Sequence, residues 1–253
     1  MTRLYAHRGA AAEQPENTIA SFEKAVGYGV HGLEMDVHMS SDGVVVVAHD
    51  DDGQRMCRES LPIKETSYAE LRQWDAGWGF TDDKGERPFF GRGYQIPSLA
   101  EVLEHFPDQV INVDLKQSSP SMVGAVLKIV RDARAVERVI LASFSQSTLL
   151  HLRCRRYQGI TAMGKVELIA ALYARASIIR RLPLRGLAAQ IPVSHGSHLL
   201  ATKENIARLQ GTGARVDFWT INDPAQAKEL LELGADGIMT DDPKAIAPVF
   251  AGS

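Results

Sequence analysis

Short runs of apolar and β-branched residues recur along nearly the whole chain, each followed by a stretch with helical spacing, and this alternation is what most narrows the fold. The runs lie at Leu4 to His7, Gly32 to His38, Val44 to His49, Val110 to Lys116, Val139 to Phe144, Ile160 to Gly164, Leu187 to Ile191, Arg215 to Ile221 and Gly237 to Thr240. Parallel neighbours need a long crossover, and a helix after each strand supplies it, so the pattern implies an α/β protein built on a parallel sheet. One of these runs is expected to be an extra hairpin arm, leaving eight strands. With 253 residues, no internal repeat and no Pro/Gly/Ser-rich linker, the chain suits one α/β barrel, and residues 1–253 are read as a single domain. The segment from about 50 to 95 breaks the alternation and is read as an insertion over one face, with a helix around Tyr68 to Asp75.

Helix boundaries are well signalled. Ser98 and Glu101 form a capping box ahead of Leu99, Val102, Leu103 and Phe106. Asp223-Pro224 places an N-cap before a proline at the first helical position, and Gly234 closes that helix. Asn17 or Thr18 can cap a helix carrying Ile19, Phe22 and Val26. Gly27, Gly29 and Gly32 match GxGxxG literally, but they follow a helix and precede a strand, the reverse of a dinucleotide fingerprint, and read as a helix terminator.

A formal net charge of -3 gives no electrostatic footprint for nucleic acid and no polybasic signal for an anionic membrane, so an anionic ligand must be captured locally. Cys57 and Cys154 lie far apart without metal-type spacing, which suggests two reduced thiols. No secretory signal and no run of 18 apolar residues is visible, so a soluble cytoplasmic protein without membrane insertion is expected. The basic, apolar stretch Leu168 to Arg185 is read as an outer helix rather than a lipid-binding one.

Chemistry is signalled by polarity inside strands. In Leu33 to His38, Glu34, Asp36 and His38 alternate with Leu33, Met35 and Val37; in Ile111 to Lys116, Asn112, Asp114 and Lys116 alternate with Ile111, Val113 and Leu115. If the apolar faces pack against helices, the carboxylates point into the barrel, where an unpaired ion would cost several kcal/mol. A divalent cation compensates that cost, since side chains two apart on a strand are about 6–7 Å apart at the backbone and can converge on one ion. Oxygen ligands favour Mg²⁺ or Ca²⁺. His7 and His49 each end an apolar run, so both imidazoles are expected at the C-terminal rim, with a pKa suited to proton exchange. Arg8 and Lys116 add positive charge there and either hold a phosphate or merely balance the carboxylates. Trp219 is either a core residue or a wall for a substrate backbone. His195 and His198 sit in a Gly/Ser loop without acidic neighbours, and Asp50-Asp51-Asp52-Gly53 reads as a turn.

Taken in order, His7-Arg8-Gly9, Pro15-Glu16-Asn17-Thr18, Phe22 with Ala25 and Gly29, Glu34-Met35-Asp36-Val37, Asp42-Gly43, His49-Asp50, Ile96-Pro97-Ser98-Leu99, Asp114-Leu115-Lys116, Trp219-Thr220-Ile221-Asn222 and Gly234 to Asp241 resemble the glycerophosphodiester phosphodiesterase family. The resemblance spans essentially the whole chain. It implies a TIM (β/α)8 barrel with a small insertion after the second strand, His7 and His49 as an acid/base pair, and Glu34 and Asp36 as metal ligands. Arg8 and Lys116 would then meet the phosphate, with Trp219 the further substrate-binding candidate. One departure stands out: where glutamate is common on the third strand, this chain has Asp114, shorter by one methylene, and members resembling lysophospholipase D can carry aspartate there.

The expected reaction is metal-dependent hydrolysis of a glycerophosphodiester to glycerol 3-phosphate and an alcohol. Either the substrate's own 2-hydroxyl attacks, giving a cyclic phosphate that water opens, or water attacks directly. Cleavage of a lysolipid is the first alternative, with Phe80, Phe89, Phe90 and Tyr94 as candidates to line an apolar groove. A non-catalytic phosphate or metal sensor is the second, and it would need the histidine pair to be missing. Another barrel chemistry ranks below these, since Lys116 is the only evident Schiff-base lysine and Asp114 favours its charged form.

Overall fold

The computed structural model describes residues 2–174 and 186–251. Eight parallel strands wind into a nearly closed barrel: β1 (Arg3–His7), β2 (Gly32–Met39), β3 (Val110–Leu115), β4 (Val139–Ala142), β5 (Ile160–Thr161), β6 (Ala188–Ile191), β7 (Arg215–Phe218) and β8 (Gly237–Thr240). Hydrogen bonding runs in the order β5-β4-β3-β2-β1-β8-β7-β6. A parallel bridge between Ala162 and Ala188, with Met163 N donating to Ala188 O at 2.7 Å, draws the two ends of that sheet together.

Helices follow the strands as α1 (Ile19–Gly27), α2 (Leu99–His105), α3 (Val123–Asp132), α4 (Gln146–Cys154), α5 (Lys165–Tyr173), α6 (Lys203–Gln210), α7 (Pro224–Glu232) and α8 (Pro243–Phe250). Their starts are those the caps predict. Thr18 accepts from Ser21 N, Ser98 and Glu101 make the reciprocal box, and Asp223 accepts from Ala225 N. Gly27 ends α1, Gly29 adopts a positive φ of 77°, and Gly32 opens β2 where a Cβ would meet the Tyr5 ring at 2.7 Å.

The period-2 alternation is realised around the barrel. Leu33, Met35 and Val37, Ile111, Val113 and Leu115, and Val216 with Phe218 join the large outer core between sheet and helices. Tyr5, Ile140, Ala188 and Met239 pack together inside the barrel. Toward its N-terminal end, fully buried Asp217 is gripped by Arg215, whose Nη2 and Nε lie 2.7 and 2.9 Å from Asp217 Oδ1 and Oδ2. A fork on a buried carboxylate supplies the hydrogen bonds that offset desolvation of both ions.

The run Val44 to His49 is the extra arm, and its direction differs from expectation. Val45–Val47 pairs antiparallel with β2, with Val37 opposite Val47 and Met39 opposite Val45. His7 ends a barrel strand, whereas His49 descends from above on a returning chain, so the two are not matching strand ends. β7 also stops at Phe218, short of the run to Ile221. Beyond the arm, Val46, Cys57, Ile63, Leu71, Trp74, Ala76 and Ile96 form a separate small core. The helix expected over Tyr68 to Asp75 spans only Tyr68–Leu71, and Asp75 instead turns its carboxylate onto Gly77 N at 2.9 Å. Of the basic stretch Leu168 to Arg185, the first residues belong to α5, and residues 175–185, with Arg175, Arg180, Arg181 and Arg185, lie outside the described residues.

Candidate active site

The C-terminal ends of β1, β2 and β3 bring the site together. After His7 the chain turns sharply: Arg8 has φ 58° and Gly9 φ 89°, and a Cβ on Gly9 would lie 2.8 Å from the backbone carbon of Ser21. Glycine is therefore required there on both conformational and steric grounds. The turn aims Arg8 N at the Glu34 carboxylate, 3.2 Å away, while Asn17 N and Ser21 Oγ donate to Arg8 O at 2.9 and 3.2 Å.

Three buried carboxylates share this mouth and differ in charge state. Burial, reinforced by neighbouring Asp36, pushes Glu34 up to about 8 despite the His7 imidazole 3.8 Å away. Asp36 is held below the usual carboxylate range: burial would raise it, but Lys116 Nζ at 2.9 Å and Arg8 Nε at 3.1 Å outweigh burial. Burial raises Asp114 although Lys116 Nζ lies 2.7 Å from its Oδ2. Arg8 and Lys116 do balance the carboxylates, as one reading of the sequence has it, and they also concentrate cationic groups at the rim.

Each histidine is oriented by its own carboxylate. His7 Nδ1 lies 2.7 Å from Asp241 Oδ1, and Asn222 Nδ2 donates to the other Asp241 oxygen at 3.1 Å. Because the His7 hydrogen bond holds Asp241 low against the effect of burial, the carboxylate accepts and Nδ1 carries the proton, leaving Nε2 toward Glu34. Glu34 and Asp241 together raise His7 against the opposing effect of burial. His49 Nδ1 stands 2.7 Å from Asp50 Oδ1, and its carbonyl accepts from His38 Nε2 at 3.1 Å. His49 also acts electrostatically on Asp36 and Asp114, so the arm delivers it to the same cluster as His7.

Of the two roles left open for Trp219, the packing bears on the core one. Half-buried, it packs on the inner cluster of Tyr5, Ile140, Ala188 and Met239, and it meets Phe144 edge-on at 6.0 Å. Phe144 is 77 % exposed, with Lys116 Nζ 5.3 Å from its ring centre. His195 and His198 pair in a small exposed hairpin. Phe80 stacks edge-on with Phe89 at 5.0 Å, Phe89 with Tyr94 at 5.2 Å, and Phe90 with Trp78 at 5.2 Å. Phe90 nevertheless stays 54 % exposed, and Tyr94 lines an open surface cleft with Arg72, Arg92 and Glu101.

Several contributors carried no site role in the sequence reading. Asp241 continues the inward register of Gly237 and Met239 by one more step, and that signal was available. Asn17 donates to Asp36 Oδ2 at 3.3 Å, leaving the α1 cap to Thr18. Asp50 directly follows His49, which it orients, whereas Glu16 and Arg55 meet across 39 residues, which no local pattern announces.

Among the described residues no group of three or more His, Cys, Asp or Glu stands in an arrangement ready to hold a metal. Here the Lys116 ammonium lies between Asp36 and Asp114. The donor chemistry nevertheless fits a hard cation. Asp114 Oδ1 and Asn17 Oδ1 are buried without a hydrogen-bond partner, and Glu34 is driven toward its neutral form. Lone pairs of this kind, close to three buried carboxylates, are what a divalent ion would satisfy.

A barrel whose C-terminal mouth combines carboxylates, imidazoles and cations is an enzyme for an anionic substrate. Residues 7–245 match the model of the glycerophosphoryl diester phosphodiesterase family, and the chain belongs to that family. It is a phosphoric diester hydrolase. A glycerophosphodiester phosphodiesterase of Bacillus altitudinis is 29% identical over 253 residues, covering 96% of both chains. A lysophospholipase D of Mus musculus is 28% identical, over 96% of this chain and 84% of its own length. Among solved structures, a phosphodiesterase of Oleispira antarctica in complex with the product sn-glycerol-3-phosphate superposes with a TM-score of 0.79 at 25% identity, covering 98% of this chain and 96% of that one.

Proposed function

We propose that the protein hydrolyses glycerophosphodiesters to glycerol 3-phosphate and an alcohol, with His7 and His49 as the acid/base pair. The observation that carries this reading is the pair of imidazoles, each held at 2.7 Å by its own carboxylate and both acting on one carboxylate cluster. Fixing Nδ1 in this way leaves each Nε2 to exchange a proton with substrate. One histidine accepts a proton from the nucleophile, either the glycerol 2-hydroxyl or water, and the other donates to the leaving alcohol. Each transfer is worth roughly 10² to 10⁴ in rate. Arg8 and Lys116 orient the phosphodiester, and Trp219 walls one side.

Glu34, Asp36 and Asp114 would hold a divalent cation, Mg²⁺ or Ca²⁺, in keeping with the cation dependence general in this family. When bound, that ion supplies charge neutralisation for the phosphodiester oxygens. Residues 1–253 act as one barrel domain with residues 50–95 as its insertion. No described helix is long and apolar enough to cross a membrane, and the free thiols Cys57 and Cys154 accord with a cytoplasmic setting.

Lysophospholipase D activity is the second reading, favoured by Phe144, whose exposed ring beside Trp219 offers an acyl chain an apolar contact. Choline release separates the readings when glycerophosphocholine and a lysophosphatidylcholine are each supplied with Mg²⁺, Ca²⁺ or chelator. Cation-dependent release from the soluble diester is expected. Release from the lysolipid alone would move the function to lysophospholipase D. No release from these or other headgroups would leave a non-catalytic phosphate-binding or metal-binding barrel.

A further inference from the structure

His49 differs from His7 in where its support comes from. Asp241, which orients His7, stands directly after barrel strand β8. Asp50, which orients His49, belongs to the insertion and is itself gripped by Arg55 Nε at 2.6 Å. The other two Arg55 nitrogens, Nη1 and Nη2, donate to Glu16 Oε2 and Oε1 at 3.0 and 2.8 Å. Glu16 lies in the loop after β1 and also accepts from Arg8 Nη1 at 3.1 Å. Arg55 therefore ties the insertion to the barrel through Nη1 and Nη2, and with Nε it holds the carboxylate that sets the His49 ring.

We infer that Arg55 is a positioning residue for His49. By fixing Asp50 against Glu16, it sets the rotation of the His49 imidazole relative to the substrate phosphate. The inference rests on the acid/base role proposed above for His49. Stability has little stake in it: the Arg55 side chain is 46 % exposed, and exposed ion pairs contribute little to folding. Geometry has a large one, because an acid or base misplaced by about 1 Å loses on the order of 100-fold in rate.

The test is a double-mutant cycle on the full-length protein with glycerophosphocholine and Mg²⁺ or Ca²⁺. Arg55→Ala should lower kcat by about 10- to 100-fold, the usual range for a group that orients a ligand or base, with KM within about threefold. In an Arg55→Ala/His49→Ala protein that loss should disappear, leaving kcat within about twofold of His49→Ala alone. Added guanidinium at millimolar concentration should restore part of the activity of Arg55→Ala and none of that of His49→Ala. Wild-type kcat in Arg55→Ala, or a loss that persists in full without His49, overturns the inference. Thermal melting checks folding, and if Arg55→Ala is unfolded, Arg55→Lys carries the same comparison, since lysine keeps the charge without the fork. Full activity in His49→Ala would instead overturn the acid/base reading, whereas a dead His49→Ala beside an intact Arg55→Ala overturns only the role of Arg55.

Discussion

Glu34 makes the protein's stability depend on pH in an unusual direction. Its carboxyl is 5% exposed and is pushed from the ordinary 4.5 up to about 8 by burial and by Asp36. Between those two values the native chain keeps a proton that the unfolded chain has released, so stability falls as pH rises through the window. His7, raised by Glu34 and Asp241 against burial, adds a loss of the same sign above its ordinary 6.5. Asp36, held low by Lys116 and Arg8, opposes this only in acid, below its ordinary 3.8. At about 1.4 kcal/mol per pK unit the Glu34 shift sets a ceiling of about 5 kcal/mol. Once ionised, Glu34 gains from protonated His7 at 3.8 Å, which returns part of that cost. From pH 5.5 to 8.5 about 2.5 of those roughly 3.5 pK units are crossed, so a net loss of about 1–3 kcal/mol, or about 3–9 °C in Tm for a chain of this size, is expected in chelator. On the proposed metal site a divalent cation would take the place of the lost proton, so Mg²⁺ or Ca²⁺ at about 100 times its Kd should add about 2.7 kcal/mol at pH 8.5 and much less at pH 5.5. Differential scanning calorimetry of wild type and Glu34→Gln measures this directly. The glutamine mimics the protonated side chain and should flatten most of the decline. A flat wild-type profile, or an unchanged decline in Glu34→Gln, would refute the reasoning.

Asp241→Asn should lower kcat by on the order of 100-fold with little change in KM, because the amide no longer fixes the Nδ1 proton of His7; steady-state kinetics that match wild type would remove Asp241 from the site. Gly237→Ala should destabilise the fold by about 3–5 kcal/mol in urea denaturation, since its Cβ would press on Asp217 Oδ1 and break the pair that this fully buried carboxylate makes with Arg215. A loss under about 1 kcal/mol would mean that the pair relocates freely.

Much of this architecture is written locally. The alternation Leu33-Glu34-Met35-Asp36-Val37-His38 fixes which side chains face the lumen whatever the neighbouring strand does, and Ser98 with Glu101 marks a helix start within four residues. Direction is different. The valines at 45–47 read as a strand, yet an apolar run carries no sign of whether it travels with β2 or back along it. That polarity is settled by the turn at Ser40 to Val44, where Val44 N donates to Ser40 Oγ at 2.9 Å. The Arg55 bridge is less legible still: its partner Glu16 lies 39 residues away, and an arginine in a polar loop looks like any solvated cation until the fold closes.

The bond between His7 and Asp241 spans 234 residues, and β1 pairs with β8 along Arg3 to Ala6. The site is thus stitched across the seam where the first strand meets the last. During synthesis the ribosome releases His7, Glu34, His49 and Asp114 long before Asp241 emerges, and until then the His7 ring has no anchor. A nascent chain can carry His7, Glu34, His49 and Asp114 and still lack the contact that orients the His7 ring until the last barrel strand seats.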